Sequence, residues 1–285
     1  LGEEVFVTPL VSTAWLAENF GAPDICVLDA SFYMPADKVD PHAVFVAGHI
    51  PGARFFDIET IADVESALPH MVPSVGRFEK LVRALGVSNS NRIIFYDQKG
   101  IFSAPRGWWM MRLFGHDRVA VLDGGLPKWR ADGRAIEEGV PGEAMPGDFR
   151  ADFRSARLRG IGDMLDNLVA KRELVLDARA AGRFAGSAPE PRPGLPSGHI
   201  PGAASVPASE LLRPDQTYLD AEALRARFAA AGVTDGVSVV TSCGTGVSAA
   251  VLTLGLEVAG LRSGALYDGS WTEWAARDDT PKEIS

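Results

Sequence analysis

Two α/β domains, each a mainly parallel sheet flanked by helices, are what this 285-residue sequence predicts. Three observations predict them. Short β-branched runs alternate with helix-like stretches, the alternation occurs twice, and no apolar run approaches the ~20 residues that span a bilayer. In the first half, strand runs fall at 25–28 (ICVL), 93–96 (IIFY) and 119–122 (VAVL), with helices expected over 12–19, 77–85 and 104–114. In the second half, strand runs fall at 174–176 (LVL), 237–241 (VSVVT) and 265–267 (ALY), with helices expected over 220–231 and 247–259. Strands separated by helical stretches make βαβ units, whose sheets are parallel and covered on both faces.

The halves repeat one another. Asp29, His49, Asp97, Asp123 and Trp129 reappear as Asp177, His199, Cys243, Asp268 and Trp274, each 145–150 positions later. The motif GHIPGA occurs in both. Ordered matches at near-constant spacing mean two homologous domains. They are expected at 1–138 and 155–285, joined by a connector at 139–154 whose glycine, proline and charge suit an exposed linker.

Composition narrows the partners. A net charge of -9 repels nucleic acid and anionic membrane alike, so neither is expected to bind. Two cysteines make no disulfide framework, and the opening LGEEVFVTPL shows no basic segment leading into an apolar one, so the cytoplasm is the expected compartment. No CxxC or HxxxH spacing suggests a metal, and no cofactor is expected.

Cys243 ends the strand-like run VVTSC and is followed by a glycine-bearing turn and a helix. Backbone N–H groups and the positive end of the helix dipole would stabilise its thiolate, which makes it the candidate nucleophile. Its counterpart is Asp97, an acid that can carry a thiolate's charge but not its chemistry, so the first domain is read as catalytically silent. Cys26 lies in a buried-strand pattern and reads as core. His49 and His199 recur at equivalent places in both domains and read as structural, as do Asp29, Asp97 and Asp177 at strand ends and the tryptophans at 108, 109, 271 and 274.

With FSAPRGWWMMRLFGH, LDGGLPKW, DARAAGRF, SGHIPGA and YDGSWTEW in view, the chain resembles the two-domain rhodanese-type sulfurtransferases along nearly its whole length. The resemblance implies two tandem rhodanese-like domains and a persulfide formed on Cys243. Its loop CGTGVSA is similar to that of the 3-mercaptopyruvate sulfurtransferases. Thiosulfate-using members instead carry basic residues just past the cysteine, where this chain has neutral Gly244 and Thr245. The subfamily implies further roles. Arg183 of AGRF and Arg192 of PEPR would clamp the substrate carboxylate, which guanidinium forks match bidentately. Gly244, Gly246, Val247 and Ser248 would offer backbone donors. Thr245, His70 of LPHMVP and Glu59 of FFDIET would form a hydroxyl–histidine–acid set, with Thr and Glu in place of the commoner Ser and Asp. Thioredoxin, glutathione or cyanide would accept the sulfur. A thiosulfate sulfurtransferase is the alternative, while a C-x5-R phosphatase loop is disfavoured by Ala249 at the arginine's place.

Overall fold

The protein is described by a computed structural model covering residues 8–285; residues 1–7, on which the reading of the chain's opening partly rests, lie outside the described residues. The chain divides into two units. The first comprises residues 8–64, 72–154 and 213–218, and the second 65–71, 155–212 and 219–285. Each unit therefore includes a short segment drawn from the other half of the sequence. Pattern reading along the chain could not show this, because a six- or seven-residue loop carries no periodicity.

The first unit runs β1 (Leu10–Val11), α1 (Thr13–Asn19), β2 (Ile25–Asp29), α2 (Pro41–Ala47), β3 (Arg54–Phe55), α3 (Ile58–Ile61), α4 (Val75–Ala84), β4 (Arg92–Tyr96), α5 (Ala104–Leu113), β5 (Val119–Leu122) and α6 (Gly125–Ala131). Its strands are ordered β1-β5-β4-β2-β3, and every pair is parallel. The second unit runs β6 (Leu158–Arg159), α7 (Ile161–Ala170), β7 (Glu173–Asp177), α8 (Ala181–Ala185), β8 (Ala204–Ser205), α9 (Ala221–Ala230), β9 (Ser238–Ser242), α10 (Ala249–Val258), β10 (Ala265–Tyr267) and α11 (Ser270–Ala276). Its order, β6-β10-β9-β7-β8, is the same topology, again parallel throughout.

The predicted helices are present, and three of them start at a side-chain cap. Ser12, Ser74 and Asp220 accept the N–H groups of Trp15, Arg77 and Ala223, satisfying donors that a first helical turn leaves free. The helix expected from 247 begins only at Ala249, because the residues after Cys243 hold a turn with Gly246 at φ +78°. The two-residue strands β1, β3, β6 and β8 were not predicted, since two residues are too few for a period. Both cores lie against the sheets. Leu16, Val27, Ile94 and Trp129 pack in the first unit, and Met164, Val240, Trp271 and Trp274 in the second. The connector at 139–154 holds no helix or strand, yet Phe149 is fully buried against Phe78. Cys26 lies in β2 only half-buried rather than in the core, and burial pushes its thiol up to about 11.

Register makes the repeat exact at the strand ends. Asp29 pairs with Tyr96 and Asp177 with Ser242, so Asp97 and Cys243 are each the first residue past equivalent strands. The histidines of the two GHIPGA motifs behave alike. His49 Nδ1 bonds the Phe45 carbonyl and His199 Nδ1 the Phe184 carbonyl, both at 2.9 Å, each ring stacked on that phenylalanine. They fix turns, as the repeat implied.

Candidate active site

Cys243 lies at the carboxyl end of β9, where open parallel sheets place their sites, and is 1% exposed. The turn that follows offers backbone donors. Among the described residues, the N–H groups of Gly244, Thr245, Val247 and Ser248 meet no protein acceptor. The twin loop in the first unit shows what such donors are shaped for. There the Asp97 carboxylate accepts the N–H groups of Phe102, Ser103 and Ala104 on Oδ2 at 2.8–2.9 Å, and that of Lys99 on Oδ1 at 2.9 Å. The first-unit turn is an anion cradle filled by its own side chain. Cys243 stands at the equivalent place, and there the counterpart of the Ala104 N–H, that of Ala250, donates instead to the Val247 carbonyl at 3.2 Å.

The turn after β10 holds the cysteine from the other side. The Trp271 N–H donates to the Cys243 carbonyl at 3.0 Å, and both the N–H and the hydroxyl of Thr272 donate to the Gly244 carbonyl, at 2.9 and 2.7 Å. The Cys243 N–H donates to Ser270 Oγ at 3.1 Å, and that hydroxyl donates in turn to the Tyr267 carbonyl at 2.8 Å. Ser270 adopts φ +48°, a left-handed conformation that costs an L-residue roughly 1–2 kcal/mol. Its twin is Gly125, at φ +54° without that cost. Serine is kept in a glycine's conformation, and what it adds is the hydroxyl that fixes the cysteine's backbone. Sequence reasoning missed Ser270. The signal was present, in the contrast between DGG of the first half and DGS of the second. Ser270→Gly is expected to leave the fold intact and lower kcat/KM about 3- to 10-fold, the worth of one neutral hydrogen bond of ~1 kcal/mol; steady-state sulfur transfer measures it.

The basic residues form a buried network. Arg179, whose side chain has no exposed surface, grips both oxygens of Asp177, the Glu190 carboxylate at 2.8 Å and the Gly198 carbonyl at 2.7 Å. Its guanidinium lies 4.5 Å over the Trp271 ring, the residue whose N–H holds the Cys243 carbonyl. Glu190 also accepts Arg183 through Nη2 at 2.6 Å and Nε at 3.2 Å. This places Arg183 over the cysteine turn, since a Cβ on Gly244 would stand 3.1 Å from its Nη2. Arg192, two residues past Glu190, differs. Its Nε is buried with no partner among the described residues, a donor awaiting an acceptor. Of the two expected clamp residues, Arg183 is neutralised by Glu190 and Arg192 is not. Arg179 and Glu190 were not singled out from the sequence, because only the fold shows that they are buried.

Of the hydroxyl–histidine–acid set, the structure joins two members. His70 Nδ1 lies 2.9 Å from Thr245 Oγ1, and His70 is 3% exposed with φ +61°, uncommon for a residue with a Cβ. The segment 65–71 that carries it belongs to the second unit. Glu59 belongs to the first unit, exposed on the first turn of α3.

Comparison with known proteins agrees with this architecture. The family model described as the rhodanese-like domain matches residues 12–132 and again residues 162–277. The thiosulfate/3-mercaptopyruvate sulfurtransferase 2 of Arabidopsis thaliana is 43% identical, with 96% of this chain and 86% of that one aligned. The 3-mercaptopyruvate sulfurtransferase of Escherichia coli strain K12 is 42% identical over 97% of this chain and 98% of its own. The crystal structure of SseA from Escherichia coli, described as a 3-mercaptopyruvate sulfotransferase with the rhodanese fold, superposes with a TM-score of 0.85 at 39% identity, covering 93% of this chain and 99% of that one. Twin parallel sheets of one topology, with a cysteine past the second sheet's central strand and both halves matched by one family model, make this chain a member of the rhodanese family, built from two tandem rhodanese-like domains.

Proposed function

We propose that the protein is a 3-mercaptopyruvate sulfurtransferase that carries sulfur as a Cys243 persulfide to a thiol or cyanide. The observation that carries this reading is Cys243 past β9, with unfilled backbone donors around it and the neutral pair Gly244-Thr245 beside it. Such donors suit a negative charge, as the Asp97 cradle illustrates. The thiolate attacks the substrate sulfur. The C–S bond breaks, its electron pair passing to carbon as pyruvate enolate, and the sulfur stays on Cys243 as the persulfide. The same N–H groups then spread the persulfide's charge. His70 and Thr245 supply the proton that turns enolate into pyruvate. A second nucleophile, such as thioredoxin, glutathione or cyanide, takes the outer sulfur, so the kinetics are ping-pong.

Charge supports the donor. Asp177 and Glu190 balance Arg179 and Arg183, and of these three arginines Arg192 has no carboxylate partner among the described residues. One free fork suits one carboxylate, which 3-mercaptopyruvate has, better than a dianion. Glu59 is assigned the acid of the proton relay on the resemblance of FFDIET alone. The first domain, 1–138, is proposed to be silent as a sulfur carrier because Asp97 fills its cradle, with 139–154 as connector and 155–285 as the domain that carries the nucleophile. No described helix is long and apolar enough to cross a membrane, and we place the protein in the cytoplasm on its cysteine usage.

The deciding experiment compares kcat/KM for 3-mercaptopyruvate and thiosulfate, with mass spectrometry of Cys243 after each donor. A gain of one sulfur atom from 3-mercaptopyruvate, and a higher kcat/KM for it, is the expected result; a clear preference for thiosulfate would establish the alternative sulfurtransferase. Arg192→Gly is expected to lower kcat/KM for 3-mercaptopyruvate about 10- to 150-fold, the loss of a charged hydrogen bond worth ~1.5–3 kcal/mol. An unchanged value removes Arg192 from the clamp. His70→Ala is expected to cost about 10²–10⁴-fold in the rate of pyruvate release, while transfer from a preformed persulfide to cyanide is unaffected. Stopped-flow single turnovers separate the two steps, and equal slowing of both would make His70 a structural residue.

A further inference from the structure

A cavity of about 580 Å³ opens at the amino ends of β7 and β9, the opposite edge of the second unit's sheet from Cys243. That volume is within the range of small-molecule sites. Buried Met164, Val175 and Ile200 form its floor, and exposed Lys171 and Arg172 stand at its rim. Neither cation has a carboxylate partner among the described residues. The acid in the lining, Glu173, is already held by Arg159 through two bonds of 2.9 and 2.7 Å.

The first unit carries different groups at the equivalent positions. There Arg92 grips Asp24 through two bonds of 2.7 and 3.1 Å and lies 5.6 Å over the Trp15 ring. Arg92 pairs with Ile25 in the sheet as Ser238 pairs with Glu173, so Ser238 takes the place of the arginine. Asp24 precedes β2 as Arg172 precedes β7, so a cation takes the place of the acid. One unit builds an anion, a cation and an aromatic body into itself. The other presents the cation beside open apolar space.

We propose that this cavity binds a small amphiphilic carboxylate, its apolar body on Met164, Val175 and Ile200 and its charged end on Arg172 and Lys171. The ligand supplies the anion and the bulk that Asp24 and Trp15 supply in the twin. The site is separate from the reaction centre, since β7 and β9 are each five residues long, about 17 Å.

Octanoate is the probe, titrated calorimetrically into the full chain beside its neutral analogue octanamide. One saturable octanoate site per chain is expected. It should weaken at least about 10-fold in Arg172→Glu, which removes a charged contact, and in Ser238→Arg, which restores the twin's filler. Sulfur transfer to cyanide should stay at the parent rate in both variants, showing that they are folded. The proposal is overturned if octanoate shows no saturable binding, if both variants bind it like the parent, or if octanamide binds as tightly.

Discussion

Cys243→Ser is expected to abolish sulfur transfer, with kcat/KM for any donor falling on the order of 10⁴-fold or more. The hydroxyl would sit in the same cradle with the same backbone bonds to Ser270 and Trp271, so the fold and Tm should be unchanged. What is lost is a sulfur nucleophile able to hold a second sulfur. Cys26 cannot substitute for it, because burial pushes its thiol up to about 11, leaving little thiolate at neutral pH. Steady-state assays, with mass spectrometry after 3-mercaptopyruvate, check the outcome. Turnover persisting in Cys243→Ser would move the chemistry to another residue.

Arg179→Met is expected to destabilise the second domain by about 3–5 kcal/mol, the cost of removing one partner from a buried ion pair. Methionine fills part of the volume but leaves Asp177 and Glu190 as buried carboxylates, only one of which keeps an arginine, Arg183. Activity should fall as well. Glu190 loses the contact that fixes it, Arg183 loses its seat over Gly244, and Trp271 loses the guanidinium on its ring. The denaturation midpoint in urea should drop with the slope unchanged. A midpoint equal to the parent's would mean that the network is worth no more than the apolar replacement.

Much of the fold was legible because it is written in periodicity and repeated. The runs ICVL and IIFY, with their counterparts LVL and VSVVT, place the central strands, and the matching landmarks set Cys243 opposite Asp97, where register confirms it. Isolated two-residue edge strands were not legible, since they are defined by a neighbour's hydrogen bonds rather than by their own pattern. The candidate site divides in the same way. The cysteine, its glycine turn, Arg183, Arg192 and the Thr245–His70 pair were all named from motifs. Arg179, Glu190 and Ser270 were not, because Arg and Glu are usually solvated and a left-handed serine looks like any other in sequence.

The sequence by itself determined the candidate sulfur atom, the doubled domain and the neutral residues beside the cysteine, all local properties of residue type and spacing. Tertiary structure alone decided how charge is shared around that atom. Burial makes Glu190 common to two arginines and leaves Arg192 with an unmet donor, and packing assigns the segment carrying His70 to the second unit, within 2.9 Å of Thr245. The physical reason is that a charge's partner and its desolvation depend on what lies near it in space, and residues 175 positions apart in sequence meet only once the chain has folded.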